Sequence, residues 1–277
     1  MLADGRRLHL HHGPIDLIID AEGMGRCAAL KRAGVRFETV LQELVDELPA
    51  LRVPVVGQDP PKGTIARAMW QAVGAHRPAF ATPMAAVAGA VADEVLRAMT
   101  AGRTEVGKAY VNNGGDIALH LAPGAALIAA VAGGPVERLC VKSVNPARGI
   151  ATSGWRGRSY SLGIADAVTV LAKTAAAADV AATLIANAVD LPGHPAITRQ
   201  PAQDVSPDSD LGTRLVTRAV GWLDPDETGE ALDRGLRVAQ EMQARGLIHA
   251  AALMLNGDYR VVGQMPLVAP EKETSLA

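Results

Sequence analysis

Three segments, far apart in the chain, combine small residues with oxygen-bearing side chains. That mixture lets backbone approach an anion and lets oxygen atoms meet a hard cation. In the first, Thr82–Gly89, Thr82 is placed to cap a helix over residues 81–99 and Pro83 suits its first turn. Ala85, Ala86, Ala88 and Gly89 remove side-chain bulk there, and the free N–H groups and positive dipole end of such a helix suit a phosphate. Close packing of the helix on a sheet asks for the same small residues, so both readings stand.

The second segment, Val111–Ile117, reads VNNGGDI. Gly114 and Gly115 admit a ligand to the main chain, and Asn113 and Asp116 supply donors and acceptors beside them. An ordinary hairpin turn uses the same letters. The third runs from Gly149 through Thr152, Ser153 and Gly154 towards an alanine-rich helix over Ala175–Val189. In that helix Asp179 is the one charged residue between Lys173 and Asp190, and Thr183 and Asn187 follow at steps of four. Those steps line a carboxylate, a hydroxyl and an amide along one stripe, a donor set that suits Mg²⁺ bridging protein to phosphate. The alternative is a polar stripe facing solvent.

Other residues carry less. His9, His11 and His12 sit where a terminal hairpin would leave them on the surface, and Glu105 and Lys108 read as solvated. Arg156 and Arg158, close to Ser153, are solvated or pair with a phosphate. Ser153 lacks a G-x-S-x-G elbow, which argues against a hydrolase nucleophile.

The elements that must position these residues are legible from turn signals and periodicity. Arg7–Asp20 reads as a hairpin around His12-Gly13-Pro14, and Met24–Leu48 as an amphipathic helix. Strands are expected on both sides of Gly114–Gly115 and over Leu127–Ala132, Leu139–Val144 and Val168–Ala172. The stretch from Asp190 to Asp210, rich in Pro, Asp, Ser and Gln, reads as a long irregular and mobile connection. A helix over Glu227–Arg245 follows Asp224-Pro225, and Asn256-Gly257 marks a closing hairpin. Helices and strands mix without strict alternation, which predicts an α+β architecture.

Composition narrows the partners. A chain of 277 residues, 49% hydrophobic and 20% charged, has the apolar material for a sizeable core. A net charge of −2 and few aromatic residues argue against nucleic acid. Cys27 and Cys140 have no zinc-ligand spacing. The start MLADGRRLHLHHG is charged where a signal peptide is apolar, and no apolar run is long enough to span a bilayer, so the reading is a cytoplasmic protein without membrane contact. A homodimer is left open.

The three segments occur in the order and at about the distances of the motifs of the ApbE superfamily. Thr82–Asp93 resembles its small-residue motif DxGxxAKGxxxD, with Gly89 and Asp93 matching, and Val111–Ile117 resembles its N-x-GGDI. Ala151-Thr152-Ser153-Gly154 resembles its serine-glycine turn, and Ala178–Thr183 its AD-x-x-AT. His12–Asp16, Arg36-Phe37, Pro83–Gly89 and Gly246–His249 make the UPF0280 branch the nearer match, over most of the chain. The resemblance implies a T-fold-related arrangement of mixed sheets with packed helices, one compact unit over residues 1–277. It also implies FAD or a related nucleotide as a small-molecule ligand, contacted by Asn113, Gly114, Gly115, Asp116, Thr152, Ser153, Gly154 and Gly89. Mg²⁺ would then be held by Asp179, Thr183 and the backbone carbonyl of Ala85.

The departures concern transfer. Ala88 stands where the motif has lysine, Thr82 where it has aspartate, and Ser159–Asp166 replaces the family's H-x-x-D-P segment. The expectation is a Mg²⁺-dependent FAD-binding protein with FMN transfer or FAD pyrophosphate cleavage, or else a non-catalytic flavin or small-anion binder serving a partner enzyme. No catalytic residue is assigned.

Overall fold

The computed structural model describes residues 1–57, 59–102, 105–130 and 138–268. Strands β1 (Leu8–His12) and β2 (Ile15–Glu22) form the opening hairpin, followed by α1 (Arg26–Asp46), α2 (Leu48–Leu51) and α3 (Thr64–Gly74). Helix α1 buries Ala29, Ala33, Phe37, Val40 and Leu44, a stripe at steps of three and four.

The helix expected from Thr82 onwards is built in two pieces. Residues Pro83–Ala86 make a 3₁₀ turn, and α4 spans Val87–Thr100. Thr82 does not cap it. Its buried side chain accepts no bond from the helix, and its hydroxyl instead donates to Asp210.

Strands β3 (Lys108–Asn113) and β4 (Asp116–Leu121) flank the Gly114–Gly115 turn, and β5 (Ala126–Ala130) and β6 (Arg138–Lys142) follow. Two residues of the strand expected over Leu127–Ala132 lie outside the described residues. Next come β7 (Gly149–Ser153), β8 (Ala167–Ala172) and α5 (Ala175–Ala188).

The segment from Asp190 to Asp210, expected to be irregular, contains β9 (Ile197–Pro201) and α6 (Ala202–Val205), and β9 pairs antiparallel with β10 (Leu215–Val220). The strand is short and its turn-forming flanks dominate the composition, which hides it from periodicity. Helix α7 (Pro225–Ala244) starts on a capping box: the Asp224 carboxylate accepts from the Glu227 N–H at 2.8 Å and Glu227 accepts from the Asp224 N–H at 2.9 Å. Strands β11 (Ala250–Leu255) and β12 (Asp258–Gly263) close on Asn256-Gly257, and β13 is Leu267–Val268.

Eight strands form one antiparallel sheet in the order β1-β2-β3-β4-β7-β8-β11-β12. Its helix-covered face makes the main core, with Ile19, Val111, Ala118, Val168 and Val170 against Val91, Val95, Ile185 and Leu232. The other face is partly covered by the three-stranded sheet β13-β6-β5, through a second cluster of Leu119, Leu121, Leu139, Val141, Ile150 and Leu171. The α+β expectation holds, in one compact unit. Helix α5 is buried nearly all round because the sheet, α4 and α7 enclose it, so its alanines set how closely those neighbours approach.

Candidate functional site

Helices α4 and α5 cross at Gly89, where a Cβ would lie 2.3 Å from the Ala175 carbonyl oxygen. Only glycine admits that approach. At the crossing each helix caps the other. Asp93 of α4 accepts the N–H groups of Ala175 and Ala176 at 3.0 and 2.9 Å. Asp179 of α5 accepts the N–H of Gly89 at 3.0 Å and is also bonded by that of Ala88. Both carboxylates thus meet the positive end of the facing helix.

That clasp engages part of the expected site in helix packing. Within the segment expected to receive a phosphate at its helix start, the N–H groups of Ala88 and Gly89 are directed at Asp179. Gly89 is a crossing point between helices and lines no described cavity. Asn113 is buried with its amide donating to the Ala88 carbonyl at 3.1 Å, which ties β3 to α4. Alternation along β3 turns Val111 and Asn113 to the helices and Asn112 to the opposite face, where Asn112 accepts the Gly115 N–H at 2.8 Å.

The remaining expected residues gather around two cavities. One, of about 330 Å³, is lined by Thr82, Ala85, Asp116, Ser153, Asp179 and Thr183, with Asp210 and Leu211 contributed by the excursion after β9. The other, of about 560 Å³, lies on the far side of the Gly114–Gly115 turn. It is lined by both glycines, Tyr110, Thr152, Ser153, Gly154 and the strand β5. Ser153 belongs to both walls. Thr152 is tied to Thr169 through their hydroxyls, 2.9 Å apart, and Asn187 accepts the Leu162 N–H at 2.8 Å, which makes the amide of the polar stripe a brace for the neighbouring loop.

The electrostatics centre on Asp116 and Asp179. Burial pushes Asp116 up to about 7, against the pull of the Thr152 N–H and the Arg158 guanidinium. Burial, and then the facing charge of Asp116, raise Asp179 well above the ordinary carboxylate range. Two carboxylates that oppose each other's ionisation in one cavity are a natural place for a cation. Thr183, one turn along from Asp179, lines the same space. The oxygen donors present therefore fit Mg²⁺, which takes few protein ligands and keeps waters or phosphate oxygens for the rest. Among the described residues no three His, Cys, Asp or Glu side chains cluster as a metal site, and neither histidine nor lysine lines this cavity.

Sequence reasoning missed the Asp93 clasp, although Asp93 was matched to the motif, because the motif does not tell what the carboxylate meets. It also missed Asp210, which reaches Thr82 from 128 residues away and lies in a loop with no pattern of its own.

Comparisons with known proteins agree with this architecture. A family model described as AbpE bacteria matches residues 1–261. A UPF0280 protein of Methanothrix thermoacetophila is 34% identical over 166 residues, 57% of this chain and 68% of that protein. A UPF0280 protein of Methanocaldococcus jannaschii is 42% identical over 115 residues, 38% of this chain and 44% of that one. The crystal structure of the flavinyl transferase ApbE of Pseudomonas stutzeri, apo form, superposes with a TM-score of 0.51 at 13% identity over 93% of each chain, which is a likeness of fold. The chain belongs to the ApbE superfamily, in its UPF0280 branch. Among the described residues no helix is long and apolar enough to cross a membrane.

Proposed function

We propose that this protein binds FAD or a related nucleotide diphosphate together with Mg²⁺ in the cavity bounded by Asp116, Asp179, Thr183 and Ser153. The observation that carries the reading is the pair of carboxylates, Asp116 and Asp179, each raised by burial within one cavity beside Thr183. Asp179, Thr183 and the Ala85 carbonyl would hold the metal, with Asp116 opposite. When bound, Mg²⁺ neutralises diphosphate charge and polarises phosphorus towards attack. Support for flavin as the nucleotide comes from family membership and from the fold shared with the Pseudomonas stutzeri flavinyl transferase.

The chain's own residues supply positioning. Asp93 fixes the start of α5 and so the direction in which Asp179 and Thr183 project, and Asn187 holds the loop at Leu162 that forms one wall. Cleavage by water would yield FMN and AMP, and transfer to a hydroxyl would yield a flavinylated acceptor and AMP.

A second reading, a non-catalytic flavin or anion binder serving a partner enzyme, is favoured by one observation. The described cavity lining holds no lysine and no histidine to act as a proton-transfer group. Titrating FAD with and without Mg²⁺ while following FMN and AMP by chromatography separates the two. Metal-dependent binding with AMP release supports the enzyme, and metal-dependent binding without products supports the binder. Absence of FAD binding under both conditions would sink the flavin proposal.

A further inference from the structure

The cavity is lined by three carboxylates, Asp116, Asp179 and Asp210, and by one cationic side chain among the described residues, Arg158. The carboxylates are largely committed: Asp179 to the N–H groups of Ala88 and Gly89, Asp210 to the Thr82 hydroxyl. The neighbouring arginine is committed as well, since Arg156 pairs with Asp166 at 2.7 Å. Arg158 is different. Among the described residues it forms no close ion pair, although its charge reaches Asp116, and its guanidinium points a nitrogen at the Gly114 turn, where no side chain obstructs it. A Cβ on Gly114 would stand 1.8 Å from its Nη2.

Gly114 has φ +66°, so the turn and the seat of the arginine depend on the same glycine. Gly114 also forms part of the wall of the 560 Å³ cavity, while Arg158 lines the 330 Å³ one. The guanidinium therefore stands at the partition between the two, beside Ser153, which borders both.

We infer that Arg158 is the anion-gripping residue of this site and that the group it takes is a diphosphate, such as that of a nucleoside diphosphate. The inference rests on the nucleotide reading above and assigns its anionic part to a residue. A guanidinium offers paired N–H donors in a fixed fork that matches two phosphate oxygens, which a point charge such as lysine does not reproduce. The diphosphate would lie between Arg158 on one side and the carboxylates with their cation on the other. The rest of an elongated ligand has a cavity on either side of Ser153 to occupy. A cationic ligand is the competing occupant of an acidic cavity, and Arg158 would repel it.

The test is calorimetric titration of the parent, Arg158→Gln and Arg158→Lys with inorganic pyrophosphate, ADP and FAD in Mg²⁺, with thermal denaturation as the check on folding. Arg158 is exposed, so both variants are expected to melt as the parent does. Arg158→Gln should weaken pyrophosphate and ADP at least tenfold, and Arg158→Lys should fall between. Gly114→Ala, which keeps the charge but pushes the guanidinium from its seat, should weaken them in the same direction. Equal affinity of parent and Arg158→Gln for all three probes overturns the inference while leaving FAD binding standing. If the parent binds pyrophosphate and ADP through Arg158 but not FAD, the flavin reading falls and the anion site stands. If the parent binds none of the three, both fall.

Discussion

Asp179 has two duties whose energetics differ, and a single substitution separates them. As a cap it accepts the N–H groups of Ala88 and Gly89, a role that needs a lone pair and not a full charge. As a metal ligand it needs the charge. Asp179→Asn keeps the shape and one acceptor oxygen while removing a carboxylate that burial and Asp116 already disfavour in its ionised form. Without metal the variant should therefore stay within about 1 kcal/mol of the parent. With Mg²⁺ the parent should gain a melting shift that grows with concentration and the variant should not, because only a ligand bound to the folded state stabilises by mass action. Equal Mg²⁺-dependent shifts in the two proteins would leave Asp179 as a cap alone.

At the scale of elements, the α4–α5 crossing decides where the site residues point, and its two contributions make separate predictions. Gly89→Ala places a methyl 2.3 Å from a backbone oxygen that cannot rotate away. Overpacking of that kind costs about 1–3 kcal/mol, so urea denaturation should show a loss in that range, with Mg²⁺ affinity falling because α5 is displaced. Asp93 makes a pH prediction. Burial raises it from 3.8 to about 6, with the N–H groups of Ala175 and Ala176 pulling the other way. The folded state thus holds its proton more tightly than the unfolded chain does. The resulting stability is complete below pH 3.8 and is lost as pH rises through 6, worth roughly 3 kcal/mol at most. Asp93→Asn lacks that term, so its stability relative to the parent should rise by up to that amount between pH 4 and pH 7.5. A relative stability that stays flat across the interval would show that Asp93 ionises freely in the fold.

At the scale of the whole molecule, what was legible in the sequence depended on how local each signal was. The Asn256-Gly257 turn, the Gly114–Gly115 turn and the α1 stripe are properties of a few adjacent residues and were read with nearly their observed bounds. The order β4-β7-β8-β11 is not local, and neither is the meeting of Asp116, Asp179 and Thr183 in one cavity, which needed the resemblance to a family to bring the segments together. The packing roles of Gly89 and Asn113 were not legible, because a small or amide side chain serves helix packing and ligand binding with the same letters. The excursion carrying β9, α6 and β10 was legible least, since its attachment to the site rests on contacts distant in sequence. Asp210 meets Thr82, and Arg214 lies 3.3 Å from the centre of the Phe80 ring.

Those contacts make the excursion one wall of the cavity, tethered through Thr82. Thr82→Val keeps the buried volume and removes the hydroxyl that Asp210 accepts, leaving a partly exposed carboxylate that water can satisfy. The loss in global stability should stay below about 1.5 kcal/mol. Backbone amides over residues 206–211 should exchange with solvent faster, because the wall has lost a tether while the core has lost nothing. Affinity for FAD with Mg²⁺ should weaken by roughly fivefold, about the worth of one hydrogen bond that orders the wall before the ligand arrives. Hydrogen-exchange mass spectrometry of parent and variant, with and without ligand, reads both effects together. Unchanged exchange over 206–211 with unchanged affinity would mean that Asp210 holds nothing the site depends on.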